Sequence, residues 1–292
     1  MSERVAIIGG GKIGEALLAG LIKAGKPSRD LVVVEKLPAR ATELAEDYGV
    51  RVTQDVRDAA ESAQVVFLAV KPDAVESVLR ELARADDSGE TERITVSLVA
   101  GIPTVRYEAA LPAGTPVIRV MPNTPMLVNE GMSAVCAGRH ADEEQVAVAV
   151  RLMETVGKVM VVPEKQMDAV TAISGSGPAY FFLMVEALAD AGVGLGLTRV
   201  QALELAGQTL KGAGELLVES GVSPVDLRAA VTSPGGTTAA ALREFERYGL
   251  RHATSEAARA AAEYSKMAAR RADVEGSRGG GAVAAEFVDD EG

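Results

Sequence analysis

The 292-residue chain is 48% hydrophobic and 24% charged, enough for one large or two medium domains with well-filled cores. Its 41 acidic against 30 basic residues leave a formal charge of −11, which argues against nucleic acid as a partner. A single cysteine, Cys136, excludes an intramolecular disulfide, and the two histidines, His140 and His252, lie at no metal-ligand spacing, so no metal is expected.

The chain runs straight into a strand, Val5–Ile8, without a leader pattern, so a cytoplasmic protein is expected. The strand leads into Gly9, Gly11 and Gly14, spaced G-x-G-x-x-G, and then into a helix over Ile13–Lys23 with Ala16, Leu17, Gly20 and Leu21 on one face. In this strand–turn–helix setting Gly9 allows the tight turn and Gly11 lets backbone approach a pyrophosphate. Gly14 lets helix and strand pack closely, and the helix start presents N–H groups to the phosphates. The alternative is a tight turn with no ligand.

A second strand, Leu31–Val34, ends at Glu35. An acid about 20 residues beyond the glycines binds the ribose 2′-OH of NAD and repels a 2′-phosphate. Lys36 and Arg40 can hold a 2′-phosphate if Glu35 turns away, so the residue types leave NADPH and NADH both open. A helix over Ala39–Tyr48 follows. Val65–Val70 and Ile94–Val99 are continuous apolar strands of the kind covered on both faces. Lys71 and Pro72 close the first of them, at a strand end that rims the cofactor crevice of such sheets. Strands at Val117–Val120 and Ala134–Cys136, a helix over 142–156 and a strand at Val159–Val162 complete the pattern, with Cys136 a buried strand residue. The fold class is α/β, with a Rossmann-type doubly wound parallel sheet over 1–162.

After Pro163 the strand pattern stops. Helices are expected at 178–191, 198–219, 224–231, 238–247 and 252–270, in an all-α domain over 163–270, with a disordered tail over 271–292. The longest uncharged apolar run, Ala169–Val185, contains Gly175, Gly177 and Pro178 and falls short of the roughly 18 residues of a membrane span, so no membrane is expected. The helix over 178–191 is apolar on more than one face, and a second subunit is its expected cover.

Within this half, "VTSPGGTTAAALREF" sets Ser233, Pro234, Gly235, Gly236 and Thr237 ahead of a helical period that begins after Thr238. The glycines expose backbone N–H groups at a helix start, where a carboxylate docks, and the hydroxyls add hydrogen bonds. The competing reading is ordinary N-capping. Ser174 and Ser176 in "ISGSGPAYFF" miss G-x-S-x-G, because position 178 is proline, and read as close-packing residues before a helix. Asn123 and Thr124 in "RVMPNTPMLV" follow a strand and are secondary candidates for facing cofactor or substrate.

The motifs "AVKP" (69–72), "RVMPNTPMLVNEGM" (119–132), "DAVTAISGSGPAYFF" (168–182) and "VTSPGGTTAAAL" (231–242) stand in one order. In these the chain resembles the pyrroline-5-carboxylate reductases over about residues 4–270. The resemblance implies an NAD(P)H-dependent reductase of the cyclic imine 1-pyrroline-5-carboxylate, with NADPH, or else NADH, as hydride donor. It implies a Rossmann domain followed by a helical domain that interlocks with that of a second subunit, as a dimer or a pentamer of dimers. Cofactor contacts are implied at Ile8, Gly9, Gly10, Gly11, Lys12, Ile13 and Gly14, at Glu35 and Lys36, at Ala69, Val70, Lys71 and Pro72, and at Leu98, Val99 and Ala100. Substrate contacts are implied at Val231, Ser233, Gly235, Gly236, Thr237 and Thr238 of the partner subunit, and at Glu164, with Thr238 as the catalytic hydroxyl. Glu35–Lys36 departs from the small or hydroxyl residues that many relatives carry there.

Overall fold

A computed structural model of the chain describes residues 3–85 and 93–280, the side chains of 268–280 excepted. Eight strands form one sheet: β1 Val5–Ile8, β2 Leu31–Val34, β3 Arg51–Thr53, β4 Val65–Leu68, β5 Ile94–Ser97, β6 Val117–Met121, β7 Gly131–Ala137 and β8 Gly157–Val161. Their order is β3-β2-β1-β4-β5-β6-β7-β8. From β3 to β6 every pairing is parallel, and the order reverses at β1/β4, the switch point where such sheets bind ligands. Each four-residue strand from β1 to β5 is buried on both faces, which is why these stretches read as unbroken apolar runs.

The two-residue period of the strands divides the core. Val5 and Ile7 join Leu17, Leu21, Val33, Phe67 and Val96 in one layer, beneath helices α1 (Lys12–Lys23), α2 (Pro38–Tyr48) and α6 (Glu143–Met153). Ala6 and Ile8 face the other way, onto Val66, Leu68, Leu79 and Tyr107 under α3 (Val56–Ala60), α4 (Val75–Ala85) and α5 (Thr104–Ala110). Strand β3 and helices α3, α4 and α5 are additions to the elements expected from sequence. Strand β3 has three residues and no alternation to show. Helix α4 did carry a signal, for its buried Val75, Val78, Leu79 and Leu82 keep a helical stripe.

The sheet departs from the expected all-parallel pattern in one place: β7 runs antiparallel to β6. Residues 122–130 make only a short 3₁₀ turn, Thr124–Val128, too little chain for the helical crossover that a parallel return needs. Cys136 lies in β7, buried as expected.

By internal packing the chain divides into Met1–Gly175 with Ala261–Gly292, and Ser176–Ala260. The first unit extends beyond the 162/163 boundary expected from sequence because residues 163–175 are tied to the sheet. The Val162 N–H donates to the Val135 carbonyl, Met167 is buried with Ala134 and Cys136, and Asn123 Nδ2 donates to the Ser174 carbonyl. Ser265 Oγ, from α12 (Leu250–Gly280), donates to Asp168 in the same unit. Of the tail expected over 271–292, residues 281–292 lie outside the described residues, and α12 carries the chain to Gly280.

The second unit is helical: α8 (Gly177–Gly194), α9 (Arg199–Ser220), α10 (Pro224–Ala230) and α11 (Thr237–Arg247). Helices α8 and α9 approach closely at Gly192, where a Cβ would lie 3.0 Å from that of Ala202. Thr198 and Gln201 form a reciprocal capping box at the start of α9. Of α8 only Gly177, Ala189 and Gly192 are buried, and Phe181, Phe182 and Leu183 are exposed in the single chain. A helical run, Glu164–Gly194, is long and apolar enough to cross a membrane by length and composition. The uncharged run expected from sequence, Ala169–Val185, is shorter than this, but the short helix α7 (Met167–Val170) and a turn of π-helix at Thr171–Gly175 precede α8 and carry the helical run through the glycines and Pro178.

Candidate active site

The glycine loop joins the end of β1 to the start of α1. Gly9 takes φ +114°, and a side chain there would meet the Ala69 carbonyl at 2.6 Å. Gly14 sits so close to β1 that a Cβ would lie 2.0 Å from the Gly9 carbonyl oxygen. Gly11 is the opposite case, with nothing within 4 Å of its would-be Cβ. It is also the N-cap of α1, and no side chain caps that helix. A cavity of about 310 Å³ opens here, lined by Ile8, Gly9, Gly10, Gly11, Glu35, Lys36, Ala69, Val70 and Lys71 among others. An uncapped helix start, a glycine with space above it and a cavity crossing β1 and β4 together fit a dinucleotide pyrophosphate. Lys12, Ile13, Gly14 and Pro72 adjoin this cavity in sequence without lining it, and Leu98, Val99 and Ala100 stand one strand further along, at the end of β5.

Glu35 is turned toward the glycine loop. Its carboxylate accepts from the Gly10 N–H at 3.2 Å and from the Leu37 N–H at 2.8 Å. Arg40, weighed above as a cation for a 2′-phosphate, is committed elsewhere: it pairs with Glu15 and Glu43, and its Nε donates to the Gly10 carbonyl. Lys36 is exposed on the cavity wall.

A second polar group lies under the sheet's far half. Arg119 of β6 is nearly buried and pairs with Glu164, whose other oxygen accepts from the Cys136 thiol at 3.3 Å. Burial, and then the Glu164 charge, push the Cys136 thiol up to about 12, which makes it a poor nucleophile. Both oxygens of Glu164 are thus engaged, and the residue implied as a substrate contact serves in this structure as the counter-charge of Arg119. Asn123 is likewise engaged, with Oδ1 accepting from the Met132 N–H at 2.8 Å and Nδ2 on Ser174. Sequence reasoning missed Arg119 as a structural charge. A lone arginine in the apolar run Val117–Val120 was the available signal.

The remaining candidates sit in the helical unit. Val231 is exposed at the end of α10, Gly235 takes φ +71°, and the Gly236 N–H donates to the Ser233 carbonyl at 3.0 Å, closing a turn. Gly236 is the N-cap of α11, and no side chain caps it. Ser233, Thr237 and Thr238 therefore stand at a helix start without serving as its cap, contrary to the ordinary N-capping alternative. Among the described residues no group of three or more His, Cys, Asp or Glu could hold a metal.

The glycine loop, the reversal of strand order and the cavity across it define a Rossmann-type dinucleotide-binding protein. Comparison with known proteins narrows the class. Residues 164–268 match the family described as pyrroline-5-carboxylate reductase dimerisation, and residues 4–101 match NADP oxidoreductase, coenzyme F420-dependent. The chain is 50% identical over 284 residues to a pyrroline-5-carboxylate reductase of Mycobacterium tuberculosis, covering 90% of this chain and 96% of that one. Among solved structures, that of a pyrroline-5-carboxylate reductase from Coxiella burnetii superposes with a TM-score of 0.87 at 37% identity, over 92% of this chain and 99% of that one. A Plasmodium falciparum pyrroline carboxylate reductase with NADP bound gives 0.80 at 29% identity, over 91% and 98%. The chain belongs to the pyrroline-5-carboxylate reductase family.

Two substitutions separate the roles of the glycines. Gly14→Ala should force α1 off β1 and cost about 1–3 kcal/mol, read as a lower thermal midpoint. Gly11→Ala should leave the midpoint of the cofactor-free protein nearly unchanged, since its Cβ meets nothing, yet raise the KM for NADPH several-fold. Glu164→Gln should lower the thermal midpoint, at a cost of about 1–3 kcal/mol, because Arg119 loses its counter-charge. Its KM for pyrroline-5-carboxylate should stay within about twofold, as expected of a residue whose carboxylate is already satisfied.

Proposed function

We propose that the substrate of this reductase is held at the start of α11, contributed by the partner subunit. The reaction is the reduction of 1-pyrroline-5-carboxylate to proline, with NADPH as the hydride donor. Bound NADPH supplies the hydride that adds to the imine carbon, while the C=N electron pair passes to the protonated nitrogen. What this chain must do is hold the substrate carboxylate, hydrogen-bond the ring nitrogen and fix the geometry of approach.

The observation that carries this reading is the uncapped start of α11. Its first-turn N–H groups, opened by Gly235 and Gly236, suit a carboxylate without an arginine. Ser233 and Thr237 add hydroxyls to the same anion, Val231 borders the ring, and Thr238 meets the ring nitrogen. The cofactor lies along Ile8–Gly14, beside Glu35 and Lys36, over Ala69–Pro72, and ends against Leu98, Val99 and Ala100. A partner subunit also accounts for the exposed Phe181, Phe182 and Leu183, which a dimerisation domain would cover in place of a membrane. Dimers joining as a pentamer of dimers, in the cytoplasm, are the assembly and location this reading expects.

Of the two cations weighed for a 2′-phosphate, Arg40 is occupied and Lys36 is left, with Glu35 beside it. Glu35→Ser should therefore lower the KM for NADPH relative to that for NADH, measured as a ratio on the same preparation. An unmoved ratio would mean that Glu35 does not approach the ribose.

Thr238→Ala should lower kcat/KM for pyrroline-5-carboxylate about 10- to 150-fold, the equivalent of one hydrogen bond to a charged group in the transition state. Its thermal midpoint should hardly change, and Thr238→Ser should keep most of the activity. Near-normal kcat/KM with a midpoint several degrees lower would make Thr238 a helix cap and remove it from the site.

A further inference from the structure

Strand β5 ends at Ser97, and the chain beyond it turns through Leu98, Val99, Ala100 and Gly101 toward α5. The Leu98 N–H still finds a ladder partner, the Leu68 carbonyl at 2.9 Å. The Val99 N–H is next in line. Val99 is buried, so its N–H needs an acceptor from within the protein. Ser97 Oγ accepts it at 3.2 Å, reaching forward two residues along its own chain. The same hydroxyl donates to Tyr107 Oη at 2.6 Å.

Tyr107 lies on α5, ten residues away, and both Tyr107 and Ser97 are fully buried. Leu79, Leu82, Val99, Ile102 and Leu111 share their layer, while Arg119 stands opposite Ser97 on β6 and its charge, with that of Glu164, reaches the phenol. A phenol buried there costs free energy unless its oxygen is used. Its use is to hold the Ser97 side chain in the one orientation that serves the Val99 amide.

We infer that Ser97 and Tyr107 are positioning residues for the cofactor: the chain Val99 N–H to Ser97 Oγ to Tyr107 Oη sets the Leu98–Ala100 turn at the end of β5. The inference rests on the assignment of that turn as the far wall of the cofactor site. Ala100 is the exposed residue of the turn, and Leu98 and Val99 behind it are buried, so the position of the Val99 amide decides where Ala100 stands. Burial pushes the Tyr107 phenol up to about 12, and because its oxygen accepts from Ser97 the chain is intact throughout the neutral range.

The test uses the full-length enzyme and steady-state kinetics. Tyr107→Phe and Ser97→Ala should each raise the KM for NADPH about 2- to 10-fold, the equivalent of one lost neutral hydrogen bond, with the KM for pyrroline-5-carboxylate unmoved. Because Tyr107 acts through Ser97, the double variant should be no worse than Ser97→Ala alone, whereas independent packing losses would multiply. Ala100→Glu, which sets a charge on the turn itself, should raise the KM for NADPH more than either. If Ala100→Glu does so while Tyr107→Phe lowers only the thermal midpoint, Tyr107 is a core residue and the positioning role is overturned. If Ala100→Glu leaves the KM for NADPH unchanged, the turn is no cofactor wall, and the wall assignment fails together with the inference built on it.

Discussion

The structure depends on one close approach, that of Gly14 to the carbonyl of Gly9. A Cβ at Gly14 would lie 2.0 Å from that oxygen, so only glycine lets α1 lie down on the end of β1. The position of α1 follows from this contact, and with it the aim of its uncapped N-terminus across the reversal of strand order. Gly9 at φ +114° turns the chain between the two elements, and Gly11, with open space above it, leaves the approach clear. Three glycines at one spacing thus stand in three different settings: two answer the protein's own packing, and the third has open space above it. Glu35 and Arg40 add to the same arrangement, one accepting from the Gly10 N–H and the other donating to the Gly10 carbonyl.

At the other side of the sheet, charge rather than close contact organises the chain. Arg119 stands in a strand whose neighbours are apolar, and its guanidinium would be costly there without Glu164. Glu164 belongs to the segment that leads out of β8 toward the helices. The ion pair therefore ties the beginning of that segment to β6, and Asn123 ties its end by holding the Ser174 carbonyl. Between these two anchors the helix loosens into a π turn at Thr171–Gly175, where Gly175 passes over Met121. The sheet unit reaches Gly175 for this reason, although the helical composition begins at Pro163 and the match to the dimerisation family begins at residue 164.

The helical unit poses a different physical problem. Helix α8 carries large apolar residues on most of its circumference, and one chain covers little of it. Such a surface is unstable in water unless it meets its like, and a dimerisation domain supplies that. In the same unit the loop before α11 holds hydroxyls and glycines at a helix start that no side chain caps.

Several features were legible in the sequence. The buried parallel strands show as unbroken runs such as Val65–Leu68, because a strand covered on both faces has no polar side to display. The glycine spacing and the order of motifs from "AVKP" to "SPGGTT" identified the family, since each motif needs particular residue types at fixed intervals. What only the tertiary structure decided are matters of partner choice. That β7 turns back antiparallel, that Arg40 is spent on Glu15 and Glu43, that Glu164 answers Arg119, and that Tyr107 reaches Ser97 all depend on which side chains meet across elements distant in the chain. Sequence spacing states what a residue can bind. The folded chain decides what it does bind, because a charge or hydroxyl that finds a satisfied partner inside the protein is no longer available to a ligand.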